Sequence, residues 1–76
     1  MKPRRGLPPY QQIAADLRGR IERGELVAGD ALPSINELRA QWGVARSTVI
    51  KALDILKAEG LVEGVQGWAT VVRDGG

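Results

Sequence analysis

Three glycines, Gly24, Gly43 and Gly60, each close a stretch of sequence with helical apolar spacing, and this punctuation restricts the chain to short helices. Ahead of Gly24, Ile13, Leu17 and Ile21 recur every four residues, with Tyr10 and Ala14 on the same side. Arg18, Glu22 and Arg23 fall mainly on the other side, so a first helix is expected over Tyr10–Arg23. Ahead of Gly43, Ser34-Ile35-Asn36-Glu37 has the form of a capping box, in which serine and glutamate side chains each accept from the other's backbone N–H. Leu38 and Trp42 give this second helix one apolar face, with Trp42 expected in the core. Ahead of Gly60, Val49, Ala52, Leu53 and Leu56 form a third apolar stripe. Only two or three residues separate the second and third segments. Gly43 can take the left-handed conformation that such a turn requires, and Val44 can fill the space between the helices. Two short helices joined in this way predict a helix-turn-helix.

After Gly60 the composition changes. Leu61-Val62-Glu63-Gly64-Val65 and Thr70-Val71-Val72-Arg73 are β-rich runs around a link containing Gly67, which reads as a hairpin. Between the first two helices, Gly29-Asp30 signals a turn, Leu32 reads as a core anchor, and a short extended piece can lie here. The expected fold is therefore α+β: a winged helix-turn-helix of three helices followed by a two-stranded β-hairpin wing. Residues 1–8 read as a flexible basic arm carrying Lys2, Arg4 and Arg5, residues 9–73 as the domain, and residues 74–76 as a tail. Seventy-six residues suggest one domain.

Composition removes several classes of function. The chain has no cysteine, which excludes disulfides and thiolate metal sites, and no histidine, the commonest general base and transition-metal ligand. With no phosphate-binding glycine loop and no convincing carboxylate pair, neither an enzyme nor a cofactor nor a metal site is expected. No apolar run approaches the ~20 residues of a membrane span, and Met1–Gly6 lacks the apolar stretch of a signal peptide. A cytoplasmic protein without a membrane partner is the expectation. A net charge of +2 permits a nucleic-acid partner without requiring one.

Several strings in order carry a closer likeness. They are Pro9-Tyr10-Gln11-Gln12-Ile13-Ala14, Gly24-Glu25-Leu26, Gly29-Asp30-Ala31-Leu32-Pro33-Ser34 with Glu37-Leu38, Gly43-Val44-Ala45-Arg46-Ser47-Thr48-Val49 with Ala52-Leu53, and Ala58-Glu59-Gly60-Leu61-Val62. In these the chain resembles the N-terminal DNA-binding domain of GntR-family bacterial regulators, over about Pro8 to Arg73. The resemblance implies a winged helix-turn-helix that binds double-stranded DNA and regulates transcription. Members of that family normally carry a larger C-terminal domain that binds an effector metabolite. Nothing follows the wing in this sequence, so no small-molecule effector is expected in this chain, whether it is a minimal regulator or the head of a longer one.

The residues expected at the DNA are Ser34, Asn36, Arg46, Ser47, Thr48, Ile50, Lys51, Gln66, Gly67 and Trp68. Arg46 opens the third helix off its buried stripe. A cation there opposes the helix macrodipole unless an anion arrives, which favours a phosphate or guanine contact over a merely solvated arginine. Ser47 and Thr48 can donate to phosphates or bond locally within the first turn. Ala45 stands where the family usually has a capping serine or threonine. Ile50 replaces an arginine that the family often has; it lies at the edge of the buried face and either touches a thymine methyl group or widens the core stripe. Lys51 is a phosphate candidate. Asn36, at another family arginine position, can pair with adenine or donate to phosphate. Gln66-Gly67 matches the family's wing turn, and Trp68-Ala69 replaces the usual basic residue and glycine. The leading expectation is a repressor acting by occlusion, bound as a homodimer to an inverted-repeat operator. The alternative is a winged helix used for protein association, with Ile50 and Trp68 as apolar contacts.

Overall fold

Proline starts the first helix and glycine follows its end. In the computed structural model, which describes residues 6–64 and 69–73, α1 spans Pro9–Glu22. Pro9 sits in the first turn, where a missing N–H leaves no bond unmade and a fixed φ suits the helix. Arg23 takes the C-cap, so the helix lies one residue earlier at each end than the apolar spacing alone indicates. Its buried side is Ile13, Ala14, Asp16 and Leu17; the Asp16 carboxylate is paired with Arg20 one turn along at 3.2 Å.

The capping box forms at the start of α2 (Ile35–Trp42). Ser34 Oγ accepts from Glu37 N–H at 3.0 Å, and Glu37 Oε1 accepts from Ser34 N–H at 2.8 Å. An eight-residue helix is too short to stand by itself, so this reciprocal pair matters to it. Ser34→Ala should lower stability by about 1 kcal/mol. In a thermal melt this corresponds to about 4–8 °C for a domain of this size, and an unchanged midpoint would show that the box carries none of the stability. At the other end Gly43 adopts φ +64°, and its N–H reaches back to Arg39 O at 2.8 Å. A side chain there would be strained, which is why the turn into the next helix uses glycine.

α3 spans Arg46–Ala58 and buries Val49, Ala52, Leu53 and Leu56, the stripe expected from the sequence. It packs on α1, α2 and the strand that follows. That strand, β1 (Val62–Gly64), pairs antiparallel with β2 (Thr70–Val72) in the register Val62↔Val72, Glu63↔Val71 and Gly64↔Thr70. The extended piece before α2 lies on the far edge of β2: Ala31 bridges Val71, Leu32 N–H donates to Thr70 O, and Val72 N–H donates to Asp30 O.

All of these elements share one core, made of Ile13, Leu17, Leu32, Leu38, Val49, Leu53, Leu56, Val62 and Val72 with two alanines. Val44 packs against it in the turn between α2 and α3, as expected. Trp42 does so too, but it is only half-buried rather than enclosed. Ile50 does not widen the buried stripe of α3; it is 37% exposed. Among the described residues, no helix is long and apolar enough to cross a membrane.

Candidate nucleic-acid interface

The direction of each α3 side chain follows from its position. At about 100° per residue, Lys57 falls within about 20°, and Ile50 within about 40°, of the direction of Arg46. Ser47 points farthest from the core, Lys51 lies beyond it, and Thr48 turns toward α1, where it is half-buried. Arg46 faces the sheet. With Pro33, Ser34 and Asn36 from the start of α2 and Gly64 and Thr70 from the strands, it lines a groove of about 520 Å³. The groove therefore brings together Ser34, Asn36 and Arg46, residues twelve or fewer positions apart in sequence but on two helices. Glu37 also borders it, with its carboxylate held by the Ser34 amide. Ser47, Ile50 and Lys51 lie exposed along the outer side of α3. Gln66, Gly67 and Trp68 fall outside the described residues, as do Lys2, Arg4 and Arg5.

Ion pairing sorts the cations by location. Arg18 makes a two-pronged bond to Glu59, with Nε to Oε1 at 2.9 Å and Nη2 to Oε2 at 2.6 Å, joining α1 to the end of α3. The hydrogen bonds that Arg18 donates to Glu59 raise its pKa against a smaller opposing effect of burial, so this guanidinium stays charged at every working pH. Arg20 pairs with Asp16, Arg23 with Glu25 at 2.6 Å, and Arg73 with Glu63 at 3.6 Å. Among the described residues, Arg39, Arg46, Lys51 and Lys57 form no ion pair, and all of them lie on α2 or α3. Among the described residues, the cations without an ion pair are thus concentrated on the helix-turn-helix, while Arg18, Arg20, Arg23 and Arg73 outside it are each paired with a carboxylate.

Two of these cations are also positioned. Lys51 Nζ lies 4.4 Å from the centre of the Tyr10 ring, a cation–π contact that draws it toward the start of α1. Lys57 Nζ lies against the end of β1, 3.5 Å from where a Cβ on Gly64 would stand. The first turn of α3 is itself electropositive. Its cap residue Ala45 offers no side-chain acceptor, and an arginine follows immediately. A phosphate approaching this end would meet both Arg46 and amides without intrahelical acceptors. Asp54, exposed one turn beyond Ile50, carries the opposite sign and confines the anion-attracting part of the outer face to the first half of α3.

Lys57, Tyr10 and Thr70 were not expected at this surface. The helical period could have placed Lys57 on the same face of α3 as Arg46, three turns further on. Tyr10 and Thr70 reach it only through packing between distant parts of the chain.

Three helices, an exposed second helix of a helix-turn-helix, and a short antiparallel hairpin at its flank define a winged helix-turn-helix domain. The sequence model of the "Bacterial regulatory proteins, gntR family" matches residues 9–72, and the chain belongs to that family. It is 45% identical over 67 residues to the mannosyl-D-glycerate transport/metabolism system repressor MngR of Escherichia coli (strain K12), covering 88% of this chain and 28% of MngR. The chain thus spans under a third of that relative's length. The DNA-binding domain of AraR, solved in complex with operator ORX1, superposes with a TM-score of 0.84 at 38% identity, covering 87% of this chain and 80% of that one. YtrA from Sulfolobus acidocaldarius, a GntR-family transcription factor, gives 0.83 at 42% identity, covering 93% of this chain and 74% of its own.

Proposed function

We propose that residues 9–73 form the unit by which a transcription regulator binds a specific double-stranded DNA sequence, and that the regulator acts in the cytoplasm as a repressor by occluding its operator. The observation that carries this reading is the concentration of unpaired cations on α2 and α3, around an α3 first turn that has no side-chain cap. That surface suits a polyanion, and the first half of α3 has the width and exposure to enter a major groove. The operator-bound AraR domain and the repressor MngR support the same assignment.

In this arrangement Arg46 and Lys51 hold phosphates, with Ser47 and Ser34 as further hydroxyl donors. Asn36 presents a donor and an acceptor from the groove toward base edges. Thr48, turned toward α1, serves the local structure of the helix start more than the duplex. Gln66, Gly67 and Trp68 are assigned to the wing contact on the sequence alone.

One α3 reads few base pairs, so two copies are needed for specificity, and two-fold symmetry places them on an inverted repeat. Selection of bound fragments from a random duplex library, followed by footprinting, should return paired half-sites about one helical turn apart or a small multiple of it. A single half-site saturated by one domain would overturn the dimeric part of this reading, and failure to enrich any duplex would overturn the whole of it.

A further inference from the structure

We infer that Ile50 is a specificity-determining residue that reads the 5-methyl group of a thymine in the major groove; this rests on the DNA-binding reading above. Among the described residues only Val27 and Ile50 are large apolar side chains left exposed, and Val27 lies in the loop ahead of α2, away from α3. The other branched apolar residues of α3 are buried, or, like Ile55, packed against the core.

Ile50 keeps more than a third of its surface in solvent. A neighbouring lysine or arginine stem could shield such a side chain while keeping its charge in water. Lys51 is instead drawn over the Tyr10 ring, Lys57 lies against the end of β1, and Arg46 lines the groove toward the sheet. The result is a partly exposed apolar point among cations that have no ion-pair partner, on the half of α3 that Asp54 leaves free of negative charge.

A partner for this point must be anionic around an apolar spot. Duplex DNA fits: phosphates flank the major groove, and the thymine methyl is the apolar group on its base edges. Isoleucine offers neither donor nor acceptor. Against guanine or adenine it would leave base-edge groups dry and unpaired, so the contact both favours thymine and penalises purines. Helical side chains lean toward the N-terminus, which carries Ile50 over the turn containing Arg46. The thymine should therefore lie next to the phosphate or base that Arg46 holds.

The test uses the best duplex from the library selection, with each dT replaced in turn by dU, which pairs alike but lacks the methyl. At one position per half-site the replacement should weaken binding about fourfold, as expected for one buried methyl group. Ile50→Ala should bind the dT and dU duplexes alike, and Ile50→Val should keep part of the difference. Either no dU-sensitive position, or an Ile50→Ala variant that retains the full dT/dU ratio, would overturn the inference while leaving DNA binding intact. Unchanged duplex affinity in Ile50→Ala would remove the side chain from the interface and would overturn it equally. Absence of duplex binding by the unaltered protein would instead remove the reading on which it rests.

Discussion

Raising monovalent salt from about 50 to about 200 mM should weaken binding to the selected duplex by about a thousandfold. The magnitude follows from the unpaired cations. If each of two domains neutralises three phosphates through Arg46, Lys51 and one of Arg39 or Lys57, six are neutralised in all, and each contributes about −0.9 to the slope of log affinity against log salt. The total slope is about −5. Arg18, Arg20, Arg23 and Arg73 should add little, because each is already bonded to a carboxylate within the chain. Arg46→Ala should make the slope shallower by about 0.9 for each domain bound and weaken affinity at every salt concentration, with an unchanged melting midpoint. An affinity indifferent to salt would remove phosphate contacts as the basis of binding. An Arg46→Ala variant with the original slope would remove Arg46 from the interface.

The second large effect is on the fold. Leu56 is fully buried in the second half of α3, and its carbonyl accepts the Leu61 N–H at 3.1 Å where the chain turns toward β1. Leu56→Ala would leave a cavity at the side of α3 that meets the rest of the core, with a cost of about 2–5 kcal/mol. A domain of this length has a total stability of about 4–11 kcal/mol, so the loss is a large fraction of the whole. The melting midpoint should fall by about 10 °C or more, as read by the helical circular dichroism signal. Ile50→Ala, on the same helix but exposed, should move it by no more than about 0.5 kcal/mol in stability terms. A Leu56→Ala variant that melts with the native protein would contradict the core described here.

These two substitutions show what the sequence could convey. Leu56 belongs to a stripe of fixed period, and a period on one helix identifies its buried face without knowledge of the partner. The same reasoning recovered Gly43 as a left-handed turn and Ser34 with Glu37 as a cap, because each depends on neighbours within four residues. Ile50 was harder, since it sits on the border of the stripe. Whether a border residue is covered depends on what the next elements place there, and here they leave it partly exposed. The long-range links were out of reach for the same reason. Arg18 meets Glu59 at a separation of 41 residues, and Ala31 meets Val71 across nearly as many. The extended piece before α2 could be read from Gly29-Asp30 and Leu32, but not its seat on the edge of β2. Trp42 shares the apolar face of α2 with Leu38 and is expected in the core on that ground; α2 has only two turns, and its last one lies partly at the surface.

That seat on β2 bears on how copies of the domain meet. With β1 on one side and Ala31 on the other, β2 is the middle of the small sheet. An unpaired sheet edge is the usual template for one chain to adhere to another. Here the strand richest in valine offers none. The outer edge of β1 is three residues long and carries Glu63, whose charge is matched by Arg73. Short and charged, it is a poor surface for strand addition. Among the described residues, then, the most apolar strand of the sheet is closed to strand addition on both sides, and contact between copies of the domain by way of β2 is disfavoured.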